Sequence, residues 1–100
     1  MEQRSGILSA DYKVKGGKLL RCNLNVDNDI ISSIKITGDF FMYPEEKIES
    51  LEQMLAGVKM AEGSIREKMN AFFSSDVQVV GADAEDFVKL IMGASPGLVI

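Results

Sequence analysis

Two short stretches of the chain hold residue types that could do chemistry. In "KGGK", Lys15–Lys18, consecutive glycine amides can turn toward an anion while a lysine on either side supplies positive charge, the ingredients of a phosphate cradle. The stretch lacks the glycine, four residues and GK-Ser/Thr of a Walker loop, and the same residues also make an ordinary hairpin turn. In "GDFF", Gly38–Phe41, two adjacent phenylalanines in extended chain point to opposite sides. One can bury, which leaves the other for solvent or a partner, while the Asp39 carboxylate can cap the turn or belong to a contact.

Cys22 is the single cysteine and the chain has no histidine. An internal disulfide, a Cys-rich metal site and the Ser/His and Cys/His nucleophilic arrangements are therefore excluded. Cys22 lies in an alternating apolar run with no base beside it and reads as a small buried hydrophobe rather than a nucleophile. The six methionines fall mostly at core-like helical positions. A net charge of −4 with both signs interspersed gives no basic stripe to neutralise phosphates, so nucleic acid is not an expected partner. No apolar run approaches the roughly 18 residues that span a bilayer, and the start, "MEQRSGILSADYK", lacks a signal-peptide core. No membrane partner is expected, and the expected location is the cytoplasm.

These stretches need elements to position them, and one domain over residues 1–100 is expected, because 46% hydrophobic and 26% charged residues are ordinary globular values. Leu8, Ala10, Tyr12 and Val14 alternate with polar residues, as do Leu20, Cys22, Leu24 and Val26, and Ile30, Ile34 and Ile36 continue the even-numbered parity. This predicts three strands sharing one apolar face. Beyond "GDFF" the period becomes helical. One helix is expected over Pro44–Ala56, with Pro44 in its first turn, acids at its positive end, and Ile48, Leu51 and Leu55 on one face. A second starts at an S-x-x-E capping box, Ser64 to Glu67, and runs to about Phe73 with Ile65, Met69, Phe72 and Phe73 on one side. "VQVVG", Val77–Gly81, reads as a short extended piece, Asp83 as the cap of a third helix carrying Phe87, Leu90 and Ile91, and 94–100 as a tail whose apolar end, Leu98–Ile100, asks for cover. Strands first and helices afterwards predict an α+β fold: a three-stranded antiparallel meander with about three helices packed on one face.

Register ties the two stretches together. Opposed residues share a face, so a three-residue loop of Lys15, Gly16 and Gly17, with Gly17 left-handed, pairs Tyr12 with Leu20 and Ala10 with Cys22. A loop of Asp27, Asn28 and Asp29 would pair Val26 with Ile30 and Cys22 with Ile34. Lys18 then lies opposite Gly38, with "KGGK" and "GDFF" at one end of the sheet, unless a bulge shifts the register.

"VKGGKLLRCNLNVDNDIISSIKITGDFFMYPEEKIESLEQMLAGVKM", Val14–Met60, followed by "VVGADAEDFVKLIMG", resembles the C-terminal accessory domain of lipoate-protein ligases. The likeness covers nearly the whole chain, with "GGKLLR" and "I-x-GDFF" its most specific pieces. In most members the domain is fused behind a catalytic domain. Here only a few residues precede it, so the expected form is the small subunit of a bipartite ligase. The resemblance implies a heterodimer with a catalytic large subunit. It further implies activation of lipoate with ATP to lipoyl-AMP and pyrophosphate, and transient contact with lipoyl acceptor domains whose lysine receives the lipoyl group. The chain is expected to have no catalytic residue, no metal site and no turnover alone; ATP, Mg and lipoate belong to the complex. The residues the resemblance offers for docking or for closing the adenylate site are Gly16, Gly17 and Lys18 with Gly38, Asp39, Phe40 and Phe41.

Two other readings stand beside it. The fold type is also similar to sulphur-transfer and iron-sulphur scaffold proteins, which would work through Cys22. A lipoyl acceptor would receive its group on Lys15 or Lys18 at the hairpin tip, although acceptors are all-β sandwiches and three helical segments conflict with that.

Overall fold

The even-numbered parity becomes a sheet in the computed structural model, which describes residues 6–96: β1 (Gly6–Lys13), β2 (Leu19–Asp27) and β3 (Ile30–Gly38) form the expected antiparallel meander. Leu8, Leu20, Cys22, Leu24, Val26, Ile31, Ile34 and Ile36 are buried on one face. The other face presents Asp11, Arg21, Asn23, Asn25, Ser33 and Lys35 to solvent, with the Arg21 Nε donating to Asp11 Oδ1 at 2.8 Å across the strands. The first hairpin is as parity requires, with Tyr12 opposite Leu20 and Ala10 opposite Cys22.

The second hairpin differs from expectation. Its turn has two residues, Asn28 and Asp29, both left-handed at φ 52° and 68°, a conformation that Asn and Asp tolerate better than other residues with a Cβ. A two-residue turn alone would flip the parity, and a bulge between Asn25 and Val26 restores it. Consequently Ile31, not Ile30, enters the core; Cys22 faces Ile36, and Gly38 faces Leu20 instead of Lys18.

The helices cover the apolar face. α1 (Lys47–Leu55) packs along β3, while α3 (Ala84–Met92) lies on β1 and β2 and against α2 (Glu62–Phe73). α1 starts three residues later than predicted. Pro44–Glu46 form a turn after a cis Tyr43–Pro44 bond, with Lys47 N–H donating to the Pro44 carbonyl at 3.0 Å. α2 starts two residues before the predicted box. Its N-cap is Ala61, without a side-chain cap, and Ser64 sits inside the helix. Glu62 holds the first turn by accepting from Arg66 Nη2 at 2.7 Å, and Arg66 Nε reaches Glu85 on α3 at 2.7 Å. The Arg66 guanidinium keeps the Glu85 carboxyl below its usual range. The capping box that does form is on α3, where the Asp83 carboxylate accepts from Asp86 N–H and the Asp86 carboxylate from Asp83 N–H.

Three features were not foreseen. β4 (Phe41–Tyr43) and β5 (Gln78–Val80) pair as a separate two-stranded ribbon. In the segment read as a tail, β6 (Ser95–Pro96) pairs with β1 at Leu8 and Ser9; Leu98–Ile100 lie outside the described residues. The outer edge of β3 is covered by its own chain. Ile31 N–H donates to Val58 at 2.8 Å, Gly57 N–H to Ile31 at 2.6 Å, and the Glu52 carboxylate accepts from Ile36 N–H at 2.8 Å. This blunts a strand edge that would otherwise template pairing with another chain.

Candidate partner-docking site at the GDFF junction

Gly38 ends β3 at φ +152°, and a Cβ built there would stand 2.5 Å from the Leu19 carbonyl oxygen and 3.0 Å from Leu20 Cα. Glycine is required because the backbone of β2 occupies the space a side chain would need. The contact continues one residue on, where Asp39 N–H donates to the Leu19 carbonyl at 2.9 Å.

The two phenylalanines then separate as extended geometry requires. Phe40 turns inward, half-buried, its ring edge-on to Phe87 of α3 with centroids 5.4 Å apart and planes at 88°. Phe73 is 6.0 Å from the same Phe87 ring, so the junction is moored to an aromatic cluster between helices. Phe41 turns outward and is 60% exposed.

Phe41 does not stand alone. β4 pairs Phe41 with Val80, Met42 with Val79 and Tyr43 with Gln78, and side chains alternate across the ribbon. Met42 is buried and Val79 half-buried beneath it, while Tyr43 is 53% and Val80 48% exposed beside Phe41. A groove of about 510 Å³ runs along this junction, with Ile36, Gly38, Phe40, Phe41, Tyr43 and Glu45 among its walls. Gly81 closes the ribbon at φ +106°, where a Cβ would meet the Asp39 carbonyl at 3.1 Å and Phe40 Cα at 3.3 Å.

The hairpin tip is different in kind. Gly16 and Gly17 are left-handed at φ +102° and +95°, and a Cβ at either would meet nothing within 4 Å. Gly17 N–H donates to the Val14 carbonyl at 2.9 Å and Val14 N–H to the Lys18 carbonyl at 2.7 Å. The Gly17 amide is thus spent on the turn, and a cradle of two free glycine amides is not formed. Lys15 and Lys18 are exposed. The tip and the junction leave the sheet at the same end, with Lys18 two positions along the strand from Leu20, the residue facing Gly38, roughly 7 Å in strand rise.

Cys22 is fully buried, and desolvation pushes its thiol up to about 12 despite a backbone hydrogen bond at Ala10. It is a core residue. Tyr43, Val80 and Gly81 were absent from the sequence-derived site, although the two-residue spacing of Phe41 and Tyr43 was a readable signal that they share a face.

An α+β domain with a meander, three covering helices and an aromatic ribbon at one corner is the class these observations define. Residues 6–91 match the profile of the family described as "Bacterial lipoate protein ligase C-terminus", and the chain belongs to that family. It is 37% identical over 83 residues to lipoate-protein ligase A subunit 2 of Thermoplasma acidophilum, a stretch covering 83% of this chain and 85% of that protein. Among solved structures it is similar to a chain from the structural analysis of an archaeal lipoylation system, a bipartite lipoate protein ligase and its E2 lipoyl domain, from the same organism. The TM-score is 0.79 at 34% identity, over 88% of this chain and 97% of that one. The family and both relatives support the reading of a small subunit of a bipartite lipoate-protein ligase. Among the described residues no helix is long and apolar enough to cross a membrane.

Proposed function

We propose that this chain is the non-catalytic small subunit of a bipartite lipoate-protein ligase in the cytoplasm. It docks on a separate catalytic polypeptide and is required there for ATP-dependent activation of lipoate to lipoyl-AMP, before transfer to the lysine of a lipoyl acceptor domain. The supporting observation is the near end-to-end likeness to a separate subunit, 85% of the length of one relative and 97% of the other.

The chain's own part is positional. Its glycine turn does not offer the paired free amides that would hold a phosphate, and none of its side chains serves as nucleophile, acid or base. ATP, Mg and lipoate are held by the catalytic polypeptide. The sheet end carrying Gly16, Gly17 and Lys18 on one loop and Gly38, Asp39, Phe40 and Phe41 on the other faces that polypeptide. Seating this end excludes water from the adenylate site and fixes the lipoate carboxylate against the α-phosphate, with the Lys18 ammonium near the accumulating negative charge. The buried, protonated Cys22 argues against a sulphur-transfer role, and the three helices argue against a lipoyl acceptor.

The test is acceptor mass. The protein, the catalytic polypeptide of the same organism, lipoate, Mg-ATP and a lipoyl domain are combined with each component omitted in turn. Lipoylation of the acceptor is expected only with both polypeptides present. A mass gain on this chain would identify an acceptor instead, and full lipoylation without it would remove the subunit role.

A further inference from the structure

The ribbon concentrates exposed apolar side chains. Phe41, Tyr43 and Val80 are three of the five large hydrophobic residues exposed among the described residues, and pairing puts them on one face of one two-stranded element. The other two, Ile7 and Ile30, belong to β1 and to the first position of β3. The ribbon is held from below: Met42 is buried beneath it, and the backbone at Gly38 and Gly81 packs closely against neighbouring backbone at its root.

Around this face stand acids. Asp39 precedes the ribbon, Glu45 shares its groove with Phe41 and Tyr43, Asp76 lines a depression with Tyr43 and Pro44, and Glu46 follows in the turn. All four are exposed, and the ion pairs among the described residues engage Asp11, Arg21, Glu62, Arg66 and Glu85 rather than any of them. Lys47, the neighbouring cation in sequence, is half-buried at the start of α1.

From this we infer that the outward face of the β4–β5 ribbon, Phe41, Tyr43 and Val80 within a rim of Asp39, Glu45, Glu46 and Asp76, is the anchor that seats the chain on the catalytic ligase polypeptide, in an apolar pocket edged by lysine or arginine. The inference rests on the subunit reading above. Central aromatics supply the desolvated contact, and the acidic rim selects the partner and speeds encounter. A second copy of the chain is the wrong occupant, because two copies meeting at this face would set four acids against four in molecules of net charge −4.

The experiment measures binding of the whole protein to the catalytic polypeptide by surface plasmon resonance, with sedimentation of the protein alone. Wild type binds; Phe41→Ala and Tyr43→Ala each weaken the complex on the order of 30-fold, chiefly through faster dissociation. The double charge reversal Glu45→Lys with Asp76→Lys slows association several-fold and flattens its salt dependence, a readout that loss of folding stability would not mimic. Asn23→Ala, on the polar face of the sheet, changes neither rate. If wild type binds and the aromatic and charge variants bind equally well, the ribbon is not the anchor and the subunit reading stands. If wild type does not bind the catalytic polypeptide, that reading fails and takes the ribbon inference with it. A wild-type homodimer that Phe41→Ala dissolves would assign the face to a second copy and overturn the inference.

Discussion

The loops at Gly16–Gly17 and at Gly38 both break their strands with glycine at positive φ, at the same end of the same sheet, yet glycine serves them for different reasons. At the hairpin tip a side chain would project into open space, and the glycines supply only the left-handed backbone of a tight turn. At the junction a side chain would strike the Leu19 carbonyl, so Gly38 is there to let two backbones touch, and Gly81 repeats the device on the facing strand. The tip is consequently an exposed, simply built turn carrying lysines, whereas the junction is a closely packed mount that turns Phe40 inward and Phe41 outward.

This contrast can be broken by substitution. Gly38→Ala is expected to cost about 3 kcal/mol or more in urea unfolding, since backbone must move to admit the methyl. A loss of less than half that would show that β2 and β3 do not meet there as tightly as described. Phe40→Ala should cost about 2 kcal/mol through the lost edge-to-face contact with Phe87. Gly16→Ala should cost about 1 kcal/mol, strain at φ +102° being its whole effect because the site is open. Phe41→Ala should leave stability within about 0.5 kcal/mol, so the two adjacent phenylalanines should differ sharply in the same melt. At neutral pH the smallest effect is that of Cys22. Its thiol stays protonated in the fold up to about 12, while the unfolded chain releases the proton near the ordinary thiol value of 9.0. Stability therefore gains nothing from this group below that value and declines as pH rises above it, a fall that Cys22→Ala should abolish.

Much of this was legible in the sequence because parity is a strong constraint. The first hairpin, the inward Cys22, the third helix with its Asp83 cap and the opposite fates of Phe40 and Phe41 all followed from side-chain alternation and local capping chemistry. The second hairpin was misread because "DND" suits a two-residue left-handed turn as well as a longer loop, and a bulge hides the difference by restoring parity two residues later. The start of α2 was misread because Ser64 and Glu67 match a capping box that the chain does not use; Arg66, bridging Glu62 to Glu85 on another helix, favours the earlier start, and local sequence does not announce that contact. The ribbon was missed because β4 and β5 are three residues each and lie 34 residues apart at their closest strand ends, Tyr43 and Gln78, counting the residues between them. Pairing at that separation leaves no periodicity to read.

Titrating this protein into a fixed amount of the catalytic polypeptide with lipoate and Mg-ATP, and following pyrophosphate release, separates a required subunit from a bystander. Negligible release is expected without this chain and a saturating rise with it. Phe41→Ala should move the midpoint to higher concentration with the plateau kept, and Lys18→Ala should lower the plateau with the midpoint kept. Full release by the catalytic polypeptide alone, unchanged by any amount of this protein, would contradict the subunit role.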